Sequence, residues 1–191
     1  MSPWFQHFQN KNFTGNARKA HLLFGVCLAC VLLFNVFLHY KKPFAFWVEM
    51  IGNILQIAIP AYVLVPVLWK KDGEGALKML KMLTLILGIT WAFKWGLSQS
   101  FGINDVRPRG GNMSFPSGHT AAAFCGAVFL SLRYGFFYAL ISLPLASFVG
   151  YTRLVSLAHW PRDVFASVLL CVIIGLFLVR PYRPPAQTQN K

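Results

Sequence analysis

Apolar residues in this chain come in long, nearly unbroken blocks, and that pattern leaves few folds open. Blocks of this length cannot be covered by the small amount of charge present, because 56% of the residues are hydrophobic and only 12% are charged. With a mean hydropathy of +0.53, the solvent to assume is lipid. Inside a bilayer every backbone N–H and C=O must find its partner within the protein, so only helices or a closed barrel can span it. A barrel strand alternates apolar and polar residues, and these runs do not. The runs fall at about 21–40, 48–69, 79–97, 119–132, 136–152 and 162–179. The fourth and fifth are short for a crossing, so flanking residues should lengthen them. The expected fold is all-α, a polytopic bundle of six transmembrane helices over residues 21–180. An N-terminal segment, 1–20, precedes it and a tail, 181–191, follows.

The ends of the chain carry no recognisable chemistry. Trp4, Phe5, Phe8 and Phe13 suit an amphipathic helix lying in the membrane interface. Tyr182, Pro184 and Pro185 read as the start of a polar, disordered tail. The first apolar run is too long for a signal peptide and lacks a small-residue cleavage site, so it reads as a retained anchor. Four cysteines, Cys27, Cys30, Cys125 and Cys171, all lie in apolar runs. The Cys-x-x-Cys of the first pair has no matching pair elsewhere. Small buried hydrophobes are the simpler reading than zinc or disulfides. No internal repeat of the kind that builds transporters is evident.

The net charge is +13, from 18 basic and 5 acidic residues. In a soluble domain such an excess points to nucleic acid, but here much of it lies between apolar runs, where it sets topology and meets anionic head groups. One side of the membrane collects Lys11, Arg18, Lys19, Lys70, Lys71, Lys78, Lys81, Arg133, Arg180, Arg183 and Lys191. The other holds Lys41, Lys42, Lys94, Arg107, Arg109, Arg153 and Arg162. The positive-inside rule makes the first side cytoplasmic, with both termini inside.

The second side is where polar residues gather in a pattern that suggests chemistry. The stretch 98–118 ends in Pro116-Ser117-Gly118-His119. Ser117 is a good N-cap, Gly118 allows close approach of an anion to the backbone, and His119 opens the fourth helix. The free N–H groups and positive dipole end of that helix form a phosphate cradle. A second cluster opens at Arg153, with five residues before His159 and three more before Asp163. Pro161 suits the first turn of a helix, which puts Asp163 near its start, able to reach back to His159. Such a contact would fix the imidazole tautomer and leave the other nitrogen free for attack.

The hairpin between the clusters crosses the membrane and returns, so both histidines share a face. Phosphoryl transfer needs an in-line nucleophile, a proton donor for the leaving oxygen and cations around the equatorial oxygens. His159 fits the first role, His119 the second, and Arg107, Arg153 and Lys94 the third. Lys94, at the end of an apolar run, is costly there without an anionic partner. Metal ligation by the two histidines is the competing chemistry. It is disfavoured by the scarcity of carboxylates and the excess of cations on that side.

These clusters resemble the signature of the type-2 phosphatidic acid phosphatase and vanadium haloperoxidase superfamily. That signature has a lysine followed by Arg-Pro, then Pro-Ser-Gly-His, then Ser-Arg with a later His and Asp. The match covers about 94–163. It implies a phosphohistidine intermediate at His159, supported by Asp163, with His119 protonating the leaving group. It also implies phosphate binding by Lys94, Arg107, Ser117, the Gly118 backbone and Arg153; no metal or other cofactor is expected. Two positions depart from the pattern. The lysine belongs seven positions before the arginine, at Ser100, whereas Lys94 lies thirteen before Arg107. Thr152 replaces the usual serine but keeps the hydroxyl.

The resulting expectation is a metal-independent lipid phosphatase of a bacterial inner membrane, with its site on the outer, periplasmic face. Its partners are the bilayer and a lipid phosphate, not nucleic acid. Compact size and the run from Arg107 to Asn112 look like the lipid A phosphatase branch. Undecaprenyl diphosphate, phosphatidylglycerol phosphate and phosphatidic acid are alternative substrates. A lipid phosphotransferase would use the same residues, and a non-enzymatic lipid-binding protein is the rival from another class. Oligomeric state is open.

Overall fold

The computed structural model describes residues 45–97 and 105–183. The apolar run at 21–40, with Cys27 and Cys30, lies outside the described residues, as do the aromatic N-terminal segment and residues 184–191. The described residues are helical and contain no strand.

The run expected over 48–69 forms two helices, α1 (Ala45–Tyr62) and α2 (Leu64–Trp69). Two prolines explain the break between them. Neither Pro60 nor Pro66 has an N–H to donate into the ladder, and the chain turns at Val63, whose N–H bonds the Pro60 carbonyl at 3.2 Å. Helix α3 (Gly73–Trp95) starts six residues before the apolar run read from the sequence at 79. Its polar first turn looks like loop in sequence, but Asp72 caps it by accepting the Gly75 N–H at 2.9 Å. Helices α4 (Gly118–Tyr134), α5 (Phe136–Val155) and α6 (Pro161–Leu178) follow the expected runs closely. The expected lengthening occurs in both short runs, to 17 residues in α4 and 20 in α5.

Four stretches are long and apolar enough to cross a membrane: Phe46–Trp69, Gly73–Trp95, Phe136–Val155 and Pro161–Leu178. At about 1.5 Å per residue the shortest spans about 27 Å, close to the hydrocarbon thickness. Helix α4 is of another kind. It has 17 residues, thirteen of them buried, and α1, α3, α5 and α6 all pack on it. A helix sheathed by protein need not present an apolar face to lipid, so α4 can carry Ser131 and Arg133. The outer helices face outward with Ile54, Leu80, Phe137 and Phe177, while Trp47, Trp69 and Trp95 sit at helix ends, where indoles favour the interface.

Small residues let the helices close on α4. A Cβ on Gly126 would lie 2.7 Å from the Pro60 backbone, so α1 and α4 touch main chain to main chain. Cys171 of α6 donates its thiol to the Ala121 carbonyl of α4 at 3.3 Å. Cys125 and Cys171 are both buried and unbridged.

A charged cluster closes the end of the bundle away from His119. Arg133 donates to Asp72 through Nε at 2.8 Å and Nη2 at 2.5 Å, to the Arg180 carbonyl at 2.9 Å and to Glu74 at 3.2 Å. The Tyr134 hydroxyl adds a 2.9 Å bond to Asp72. Tyr182 reads as disordered tail in the sequence. Instead its N–H bonds the Arg133 carbonyl at 2.8 Å, and its ring packs near Tyr134 and under the Lys70 ammonium. Burial alone would raise the Asp72 carboxyl, but hydrogen bonds from Arg133, Gly75 and Tyr134 outweigh it and hold the group below the ordinary carboxylate value.

Asp72→Ala leaves Arg133 buried without its main counter-charge, so a loss of about 3 kcal/mol or more is expected in thermal or denaturant unfolding in detergent. Because the folded-state pKa is depressed, this stabilisation is complete above the unfolded value near 4. It disappears only as pH falls through the lower folded value, so the stability gap between wild type and variant should narrow below about pH 4.

Candidate active site

The opposite end of the bundle gathers the start of α1, the end of α3, the loop 105–117, the start of α4, the α5–α6 turn and the start of α6. The loop is shaped by its own backbone. Arg107 N–H bonds Gly111 O and Gly110 N–H bonds Arg107 O, both at 2.9 Å, a tight turn made possible by positive φ at Gly110 and Gly111. Asp105 braces the loop by accepting the Phe115 N–H, and its own carbonyl takes the Ser114 N–H at 3.1 Å. Arg109 N–H reaches Leu157 O at 2.9 Å and clips the loop to the α5–α6 turn.

Lys94 enters this site from the last turn of α3. It is buried, and its ammonium donates to Met113 O at 2.6 Å and Ser114 O at 3.4 Å. The thirteen-residue spacing to Arg107 therefore does not keep it out. Met113 and Leu157, whose carbonyls hold Lys94 and Arg109, are non-glycine residues at positive φ. Such backbone is held only where surrounding contacts demand it.

The α5–α6 turn folds back on the end of α5, because the N–H groups of Ala158 and His159 both bond the Arg153 carbonyl, at 2.9 and 3.2 Å. This brings the His159 Nδ1 to 3.5 Å from Asp163 Oδ2, one helical turn on. The expected pairing is present in direction, though longer than a formed hydrogen bond. Asp163 Oδ2 meanwhile accepts the Ser114 hydroxyl at 2.5 Å and the Trp160 N–H at 2.9 Å, the second bond completing the start of α6. Burial pushes the His159 imidazole below its ordinary value of 6.5. Lys94 and Arg107 push the same way, and Asp163 opposes them only in part.

His119 lies in the first turn of α4, half-buried, within the electrostatic reach of Arg153, His159, Arg107 and Lys94. The N–H groups of Gly118 and His119 belong to the first turn and have no helical acceptor. Ser117 is completely buried. Its hydroxyl caps α4, 3.0 Å from Thr120 Oγ1, and its N–H bonds Asp163 O at 3.2 Å. Thr152, in place of serine, accepts Arg153 Nε at 3.1 Å. Three buried polar atoms here have no hydrogen-bond partner among the described residues: Arg107 Nε, His159 Nδ1 and Asp163 Oδ1.

The structure thus brings Lys94, Arg107, Gly118, His119, Arg153, His159 and Asp163 to one place, and turns the Ser117 hydroxyl inward to a cap. It also adds residues that the sequence does not signal. Ser114 holds Asp163, Asp105 shapes the loop, and Glu49 of α1 meets Arg109 at 2.9 and 3.0 Å and Arg153 at 3.5 Å. Ser114 and Asp105 have no motif spacing to mark them, and Glu49 sits 104 residues from Arg153. Among the described residues no three His, Cys, Asp or Glu side chains are grouped as a metal site.

Helices sheathing a buried one, with this polar cluster at their ends, form a membrane-embedded bundle, and the chain belongs to the PAP2 superfamily, which it matches over residues 20–184. It is a multi-pass membrane protein. A lipid A 1-phosphatase of Helicobacter pylori is 31% identical over 147 residues, covering 73% of this chain and 70% of that protein. A lipid A 1-phosphatase of Porphyromonas gingivalis is 39% identical over 80 residues, covering 40% of this chain but only 18% of that longer protein. Lipid phosphate phosphatase 1 of Arabidopsis thaliana is 36% identical over 88 residues, covering 39% of this chain and 27% of that protein. No solved structure matches the chain.

Site-resolved NMR titration of histidine-labelled protein should find His159 more than half neutral at pH 6.5. Asp163→Asn removes the one neighbour that favours the charged imidazole, so its titration should move lower still. A midpoint for His159 above 6.5 in the wild type would contradict this account of the site.

Proposed function

We propose that this protein is a lipid phosphatase that hydrolyses a phosphate ester at the outer face of a bacterial inner membrane. The observation that carries the reading is the cation cluster, in which Lys94 and Arg153 are buried and Arg107 is partly so. Lys94, Arg107 and Arg153 converge beside two histidines, and the Arg107 Nε has no acceptor among the described residues. Cations held out of water beside a helix N-terminus are complementary to a phosphate dianion. Placing all of them on the outer face follows from the distribution of positive charge along the chain.

In this mechanism the free His159 Nε2 attacks phosphorus in line with the lipid oxygen. The P–N bond forms as the P–O bond breaks, and Asp163 steadies the charge that develops on the imidazole. His119 gives its proton to the departing alkoxide, and the incoming phosphate supplies the negative charge that lets His119 hold that proton among so many cations. Lys94, Arg107, Arg153 and the Gly118 N–H hold the equatorial oxygens, with Ser117 supporting the cradle as the cap of α4. Water, relieved of a proton by the now neutral His119, then attacks phosphorus. The P–N bond breaks, releasing inorganic phosphate and restoring both histidines.

The names of the bacterial relatives support a lipid A-type phosphate as the substrate, and that of the plant relative supports a lipid phosphate of another kind as the second reading. The test is phosphate release from purified protein, without added metal, across lipid A, undecaprenyl diphosphate, phosphatidic acid and phosphatidylglycerol phosphate. Turnover is expected to be highest on lipid A, and His159→Ala should lower it by about a thousandfold or more. Retained turnover in that variant removes His159 as nucleophile. Label passing from substrate to a second lipid, in place of free phosphate, identifies a phosphotransferase. With His159 depressed, the acid limb of kcat/KM should lie below pH 6.5.

A further inference from the structure

Arg153 is completely buried, and its long side chain is held by residues from two helices. Its Nε donates to Thr152 Oγ1 at 3.1 Å, its Nη2 to the Glu49 carbonyl at 2.9 Å, and its Nη1 faces the Glu49 carboxylate at 3.5 Å. One residue of α1 therefore meets the guanidinium with both its backbone and its side chain. The approach depends on Gly52, one turn further along α1, where a Cβ would lie 2.2 Å from Thr152 Oγ1 and 2.8 Å from Arg153 Nη2. Among the described residues Glu49 is the only ion-pair partner of Arg153. The other carboxylates of the site are committed elsewhere, Asp105 to Arg162 and the loop, Asp163 to His159, Ser114 and Trp160.

We propose that Glu49 is a positioning residue that fixes Arg153 for phosphate binding and, through Arg109, ties α1 to the phosphate-binding loop. An arginine freed of these contacts has many rotamers open to it, and ordering it on each encounter costs affinity. Held in place beforehand, it meets the phosphate already oriented. Arg109 extends the brace. Its Nη1 donates to both Glu49 carboxylate oxygens, at 2.9 and 3.0 Å, while its N–H donates to Leu157 O in the turn that carries His159. One carboxylate thereby joins α1, the loop and the end of α5. This role rests on the reading of Arg153 as a phosphate ligand.

The experiment is a double-mutant cycle of Glu49→Ala and Arg153→Ala on the full-length protein in detergent. The readouts are the Kd for inorganic phosphate, from thermal-shift titration, and kcat/KM on the best lipid substrate. Glu49→Ala should weaken phosphate binding by about tenfold in the wild-type background and by less than about twofold when Arg153 is already absent, because the two act as one unit. Glu49→Gln, which keeps an acceptor oxygen, should recover part of the loss, and it carries the same cycle if the alanine variant does not fold. Equal effects in both backgrounds, or unchanged or tighter phosphate binding in the Glu49 variants, overturn the proposal. Wild-type protein that binds phosphate but hydrolyses no lipid overturns the phosphatase reading instead, and the binding cycle still decides the role of Glu49. Wild-type protein that binds no phosphate overturns both.

Discussion

The site depends on Asp163 more than on any other single residue. Its carboxylate faces His159 and accepts from Ser114 and from the Trp160 N–H, while its carbonyl accepts from Ser117 and Ser167. These contacts join α6 to the loop 105–117, to the first turn of α4 and to the α5–α6 turn. A carboxylate with no exposed surface is tolerated only where such donors replace its lost hydration. The same bonds that make its burial possible therefore set the register between the two histidine-bearing segments.

Charge elsewhere follows the same rule. The interior of the bundle is apolar, and its two ends each hold arginine opposite carboxylate. At one end Arg133 is satisfied by Asp72, Glu74 and the Arg180 carbonyl, a closed arrangement with little left over. At the other end, among the described residues, the cations outnumber the carboxylates that touch them, and Arg107 Nε has no partner. The contrast separates a cluster closed on itself from one that, under the proposed function, is prepared for an anion. Both contain buried arginine, but among the described residues only the second leaves a buried donor, Arg107 Nε, without an acceptor.

Much of this was legible in the chain. From 48 onward, within the described residues, the continuous apolar runs are helices where expected, because lipid admits few other backbone solutions. His119, Arg153, His159 and Asp163 could be grouped because a hairpin of two apolar runs returns the chain to its starting side. The break at Val63 was written in Pro60 and Pro66, yet a hydropathy reading over 48–69 passes over it, since both residues sit in an apolar run. The early start of α3 was hidden for the opposite reason: its first turn is polar, and only the Asp72 cap shows that it is helix. Tyr182 reads as tail because its anchoring partners, Arg133, Tyr134 and Lys70, are remote in sequence.

By itself the sequence determined an α-helical membrane protein with two histidines, an aspartate and several cations on one side of the bilayer. Those conclusions rest on local pattern: hydrophobic length, motif spacing and the sign of loop charge. Only the tertiary structure decided that Lys94 reaches the site across a long spacing, that Ser117 turns its hydroxyl inward, that Ser114 holds Asp163, and that Glu49 holds Arg153. Each of these depends on which helix packs beside which and at what height. That is settled by close contacts such as Gly52 against Thr152 and Gly126 against Pro60, and short-range sequence pattern does not encode the distance between helices.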